Sequence, residues 1–91
     1  MAKIKVIIVF HRSFKKRYRK ISSKIRNQFD KRLILFEKEP FHPVLNNHQL
    51  TGERIGQWSI NVTGDWRAIY VLGDKDAVIF IDIDTHPNLY K

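Results

Sequence analysis

The chain has 91 residues, 43% apolar and 29% charged, with a formal net charge of +8 and no cysteine. That length holds one hydrophobic core, and the composition is that of a folded chain, not a disordered one, so one domain over residues 1–91 is expected. The missing cysteines exclude disulfides, thiolate zinc sites and cysteine nucleophiles, and make a reducing cytoplasm the simplest setting. Residues 1–38 carry thirteen Lys/Arg against two acids, a net +11, whereas residues 39–91 carry four against seven, a net −3. Charge concentrated in this way is the footprint of a polyanionic partner, nucleic acid first and an acidic protein next.

Lys3 to Val9 reads as a strand, since β-branched residues dominate it. Its apolar run is too short to span a membrane and no small-residue cleavage site follows, so neither a membrane segment nor a signal peptide is expected. Ser13 is placed to N-cap a basic helix running to Lys20, with Phe14 and Tyr18 one turn apart as its apolar contact. Ser22 or Ser23 caps a second helix in which Ile25, Phe29, Leu33 and Phe36 fall close to one face, and Glu39-Pro40 ends it. Residues 40–47 read as a loop.

From Gln57 the period changes to two: Trp58, Ile60 and Val62 share one face, and Gln57, Ser59 and Asn61 the other. Thr63-Gly64-Asp65 supplies turn chemistry, with Gly64 available for positive φ at a two-residue hairpin loop. Trp66 to Leu72 and Ala77 to Ile83 are further strands, joined by a turn at Gly73-Asp74-Lys75-Asp76. The expected architecture is α+β: an N-terminal strand, two helices, then an antiparallel meander, both helices packed on one face of a twisted sheet.

Four histidines, His11, His42, His48 and His86, show no zinc-ligand spacing, and no nucleophile elbow, phosphate loop or dinucleotide fingerprint occurs. No metal or cofactor is therefore expected. The C-terminal half instead holds groups suited to proton transfer and phosphate binding: His48, Asp65, Arg67, His86 and Tyr90. Imidazole titrates near neutrality and guanidinium clamps a phosphate with paired donors. Singly, each residue reads equally as a surface histidine, a turn former or a cross-strand ion-pair partner.

Their order is more specific. His48-Gln-Leu-Thr-Gly52, then Gly56-Gln-Trp-Ser, then Gly64-Asp65-Trp66-Arg67-Ala-Ile-Tyr70, then Thr85-His86-Pro-Asn-Leu89-Tyr90 resembles the YafQ-like branch of the RelE/ParE toxins over the whole chain. The resemblance implies the RelE-like fold and a toxin of a type II toxin–antitoxin system that cleaves mRNA in the ribosomal A site without a metal. It implies His86 as general acid, His48 as base or phosphate ligand, and Arg67 as the charge stabiliser. Asp65 becomes a catalytic or orienting aspartate, Trp66 its neighbouring aromatic, and Tyr90 the C-terminal aromatic. Lys15, Lys16, Arg17, Arg19, Lys20 and Lys24 would dock on ribosomal RNA, and a cognate antitoxin would be the protein partner, with oligomers formed only through it.

Three positions depart from the pattern: Asn61 replaces a histidine, Asp84 a glycine and Asp82 an arginine. Carboxylates at 82 and 84 are expected either to favour protonated His86 or to repel RNA. Two other readings share the fold, a ParE-like topoisomerase poison and a catalytically weak relative that only binds nucleic acid or antitoxin. The Thr85-His86 pair and His48 argue for the nuclease, because a poison needs no acid–base set.

Overall fold

The computed structural model describes residues 6–90. β1 (Ile8–Phe10) leads into α1 (Arg12–Tyr18) and α2 (Ser23–Lys38), followed by β2 (His48–Gln49), β3 (Trp58–Asn61), β4 (Trp66–Leu72), β5 (Val78–Thr85) and a short α3 (His86–Leu89). The five strands form one sheet in the order β1-β5-β4-β3-β2. The meander is antiparallel as expected, and β1 joins its edge parallel to β5, pairing Ile8 with Val78 and Phe10 with Phe80. Of the strand anticipated at Lys3 to Val9, Lys3 to Lys5 lie outside the described residues, and β1 extends one residue further to Phe10.

Both long helices cover one face. Phe14, Ile21, Phe29 and Phe36 pack with Ile60, Val62, Ala68, Tyr70, Phe80 and Ile83 into the main core, with Ile25, Leu33 and Trp58 at its margin. The helical period and the strand alternation therefore meet in one layer. On the opposite face a small second cluster of Leu50, Ile69 and Leu89 draws in Ile81 and ties α3 to the sheet. Ser59, on the face opposite Trp58 and Ile60, is buried there across from Ile69, and its hydroxyl has no hydrogen-bond partner among the described residues.

Phe80 sits at the centre of the aromatic cluster, with ring centroids 5.4 Å from Phe29, 5.5 Å from Tyr70, 5.8 Å from Phe14 and 6.0 Å from Phe36. Truncating such a ring costs about 3–5 kcal/mol, against a total stability of about 5–15 kcal/mol. Phe80→Ala should therefore remove a large share of the stability and shift the urea midpoint well down, with the slope on denaturant unchanged if the native state stays compact.

The helix termini refine the sequence reading. Ser22 caps α2 by accepting from the Ile25 N–H at 3.4 Å, and Glu39 follows its last residue. Ser13, in contrast, does not cap α1. His11 takes that place, its Nδ1 accepting the Ser13 N–H at 3.1 Å, and the helix closes at Tyr18, not Lys20. The Ser13 hydroxyl instead donates to the Ile81 carbonyl at 2.6 Å. Ile81 is skipped by the β4–β5 register, which passes from Ile69↔Asp82 to Tyr70↔Phe80. β1 reaches only as far as Phe80, so α1 takes over as cover for the remaining β5 edge.

The turns also differ from expectation. β3 and β4 are linked by residues 62–65, and the Thr63 hydroxyl, not a left-handed glycine, organises the loop by accepting the Asp65 and Trp66 N–H groups at 3.2 and 3.0 Å. Positive φ falls on Gly52 and Gly56 instead of Gly64.

Tyr70 is 3% exposed; burial pushes its phenol up to about 12, and its hydroxyl donates to Asn47 at 2.7 Å. Burial, reinforced by the Asp30 carboxylate, likewise raises Tyr18. A raised phenol favours the protonated form in the folded state. Its stabilisation is complete below the ordinary value of 10.0 and fades as pH climbs towards the folded value. Denaturant midpoints should therefore fall between pH 10 and 12, and Tyr70→Phe should flatten that fall.

Candidate active site

His48, Arg67, His86 and Tyr90 converge on one pocket of about 290 Å³, completed by Asn46 and Leu50. It opens on the sheet face opposite α1 and α2. Arg67 alternates with Trp66 and Ala68, which pack towards the main core, and His48 is the cross-strand partner of Ser59. Three cationic or ionisable nitrogen groups and, among the described residues, no carboxylate line it, an arrangement that suits an anion.

Each side chain is held by its own element. Asn46 adopts the left-handed conformation after the short turn Pro43–Leu45, which brings its carbonyl to 2.7 Å from His48 Nδ1. A carbonyl only accepts, so Nδ1 carries the proton, and a neutral ring held this way presents its lone pair at Nε2. Arg67 is opposite Asn61 on β3 and Asp84 on β5. Its Nη1 donates to the Thr63, Trp66 and Gly64 carbonyls at 3.0, 3.1 and 3.3 Å. That anchor leaves Nε and Nη2 without a partner among the described residues. The cross-strand ion pair with Asp84, an alternative reading of Arg67, does not form, because Asp84 turns to Arg17.

His86 opens α3, and its N–H donates to the Asp65 carbonyl at 2.8 Å. Pro87 does not impose extended geometry on it: the extended residue is Thr85, and Pro87 sits in the first turn, where a missing N–H leaves no helical bond unmade. Tyr90, one turn on, stacks obliquely on the imidazole with ring centroids 4.6 Å apart. At the far end of α3, Arg54 Nε donates to the Leu89 carbonyl at 3.1 Å, and the Leu89 side chain is buried in the second cluster. Sequence motifs pointed to neither Arg54 nor Asn46; each contact involves a backbone carbonyl, of Leu89 and of Asn46, which no side-chain pattern reveals.

Two expected site residues lie elsewhere. Asp65 is exposed and does not line the pocket, reaching His86 only through its carbonyl. Trp66 is half-buried against the main core on the other face. Asn61 lies beside Arg67 as its cross-strand partner on β3, with its buried Oδ1 unpartnered among the described residues. Neither Asp82 nor Asp84 enters the pocket; Arg17 holds both, at 3.7 and 2.8 Å. Of the basic residues on and after α1, Lys15, Lys16, Arg19, Lys20 and Lys24 are exposed, whereas Arg17 is engaged in that ion pair.

A larger groove of about 750 Å³ lies between α1, α2 and β1, floored by Phe10, Phe14, Phe29 and Leu33 and rimmed by Arg12, Lys15 and Arg19 with one carboxylate, Asp30. It has no histidine, so size alone does not mark the chemistry. No group of three or more potential metal ligands occurs among the described residues, and no helix there is long and apolar enough to cross a membrane.

Comparison with known proteins agrees with the order of the motifs. The fold is that of YafQ from E. coli strain BL21(DE3), 23% identical with a TM-score of 0.77, covering 94% of this chain and 99% of that one. It also superposes on the E. coli DinJ–YafQ toxin–antitoxin complex, at 24% identity and TM-score 0.75, covering 97% and 100% of the two chains. The Mycobacterium tuberculosis toxin–antitoxin complex RelBE2 is similar at 19% identity and TM-score 0.73, covering 91% and 100%. No curated protein matches the chain in sequence. Residues 4–91 match the family described as "Bacterial toxin of type II toxin-antitoxin system, YafQ", and with nearly its whole length matched, the chain belongs to that family of toxins.

Proposed function

We propose that this toxin is a ribosome-dependent mRNA endoribonuclease that cuts through the 2′-hydroxyl of its substrate. The convergence of His48, Arg67 and His86 on one pocket carries the reading. His48 Nε2, its lone pair exposed by the Nδ1–H bond to Asn46, removes the proton from the 2′-hydroxyl. The oxygen attacks the adjacent phosphorus. Negative charge builds on the non-bridging oxygens, where the free donors of Arg67 bind it more strongly than in the ground state. Imidazolium His86 protonates the departing 5′-oxygen, leaving a 2′,3′-cyclic phosphate and a 5′-hydroxyl. Tyr90 supports the His86 ring, and Asp65 fixes its backbone.

The exposed cations of α1 and the start of α2 would seat the toxin on ribosomal RNA in the cytoplasm, and a cognate antitoxin would be its protein partner. The groove floored by Phe10, Phe14 and Phe29 and rimmed by basic side chains suits an amphipathic acidic segment of that antitoxin.

Primer extension on a translated message tests the activity. Codon-phased cuts that require ribosomes are expected; topoisomerase-linked DNA breaks without mRNA cleavage would transfer the protein to the poison class, and neither outcome would leave a binding protein. Docking has its own test. Reversing Lys15, Lys16 and Arg19 to glutamate should weaken ribosome affinity and reduce its salt dependence while leaving stability nearly unchanged, since exposed charges contribute little to folding. Unaltered affinity would move the docking surface away from α1.

A further inference from the structure

We propose that Arg17 and Asp84 form a positioning clamp that holds α3, and with it His86, in the pocket; the claim builds on the nuclease reading above. α3 has four residues, and its N-cap residue Thr85 makes no side-chain capping bond. A single turn has no stability of its own, because its nucleation is unfavourable. The direction of the His86 ring must be imposed from outside the helix.

Asp84 supplies that restraint. It is 8% exposed, and a buried carboxylate persists only where donors compensate its lost hydration. Three do. Oδ1 accepts the Thr85 N–H at 2.8 Å and the Asn88 side-chain amide at 3.2 Å, while Oδ2 accepts Arg17 Nη1 at 2.8 Å. Thr85 immediately precedes His86 and Asn88 follows it by two residues, so one carboxyl group grips α3 on both sides of the imidazole. Arg17 completes the arrangement from α1, with Nε 3.7 Å from Asp82 Oδ1 as a second contact.

The clamp gives the departures at positions 82 and 84 a use. Where the toxin pattern has an arginine and a glycine, this chain has a carboxylate pair that faces Arg17 and not the pocket. It also removes Arg17 from the cations offered to phosphate. Because Arg17 belongs to the helix whose other basic residues are exposed, the docking element and the histidine-bearing turn are mechanically joined.

The test uses the full-length toxin in two assays: single-turnover cleavage on saturating programmed ribosomes, and NMR of the free protein, reading the His86–Tyr90 ring contact and the Asn88 side-chain amide. Arg17→Gln alters an accessible side chain and guards against loss of folding, while Asp84→Ala removes the hub. Both should slow single-turnover cleavage by about 10- to 100-fold, the scale of a small misplacement of a reacting group, with ribosome affinity unchanged. Arg17→Lys should recover part of the rate, and the double variant should be no slower than the slower single, as expected for one shared interaction. The ring contact and the Asn88 amide shift should change in every variant that slows cleavage. Wild-type rates in Arg17→Gln, multiplying effects in the double variant, or losses that trace entirely to ribosome affinity would overturn the clamp. If the wild-type toxin itself cleaves nothing, the nuclease reading fails separately and the NMR signals decide: an unchanged ring contact and Asn88 amide in Arg17→Gln reject the clamp, and their loss upholds it.

Discussion

Replacing His86 by glutamine is expected to lower ribosome-dependent cleavage by about 10²–10⁴-fold, the usual contribution of a general acid. Glutamine approximates the size of imidazole and keeps a hydrogen-bonding end, but it does not titrate near neutrality. The backbone bond from residue 86 to the Asp65 carbonyl, at 2.8 Å, does not depend on the side chain, so α3 should stay docked. Ribosome and antitoxin binding should survive. His11→Gln is the informative control: His11 lies outside the pocket but caps α1, so this change should cost about 0.5–2 kcal/mol of stability with cleavage retained. Codon-phased cleavage at wild-type rate in His86→Gln would remove the central residue of the mechanism.

Arg67 should show the next largest effect. Loss of a preorganised donor to a developing oxyanion typically costs about 10²–10³-fold in rate, and Arg67→Ala is expected in that range. Alanine also removes the three bonds from Nη1 to the carbonyls of the 63–66 loop, and that loop supplies the carbonyl that holds His86. Arg67→Lys separates the two contributions. It keeps the positive charge and loses the planar fork, so it cannot anchor on the loop and present two further donors at once. An intermediate rate for lysine is expected, with ribosome affinity close to wild type in both variants. If instead Arg67→Ala weakens ribosome binding while single-turnover cleavage at saturation is unaffected, Arg67 is a docking cation and the phosphorane lacks its proposed partner.

Local pattern accounts for what could be read from the residues alone. The spacing of Ile25, Phe29, Leu33 and Phe36 and the alternation Trp58, Ile60, Val62 each describe the face an element must bury, because the helical and strand periods project side chains in fixed directions. Ser22 caps α2 through a bond that spans three residues, well within reach of a sequence argument. The uneven charge likewise places free cations on α1. The order of the motifs around His48, Arg67, His86 and Tyr90 marked residues that the fold does gather in one pocket, though that inference came from resemblance and not from periodicity.

Tertiary structure decided whatever depends on partners far apart in the chain. Ser13 has the chemistry of a cap, yet its hydroxyl is captured by the Ile81 carbonyl 68 residues away, and His11 takes the capping place. Nothing near β1 states that it will pair in parallel with β5, because parallel pairing is set by a crossover and not by a turn. Asp82 and Asp84 read either as a help to protonated His86 or as a hazard to RNA binding, until α1 packs against the β5 edge and brings Arg17 within reach of both. Sequence determined which faces were apolar and which residues carry titratable or phosphate-binding groups. Only the packing of α1 and α3 on the sheet settled which of those groups meet, since a side chain's partners are fixed by where distant backbone lies and not by its neighbours in the chain.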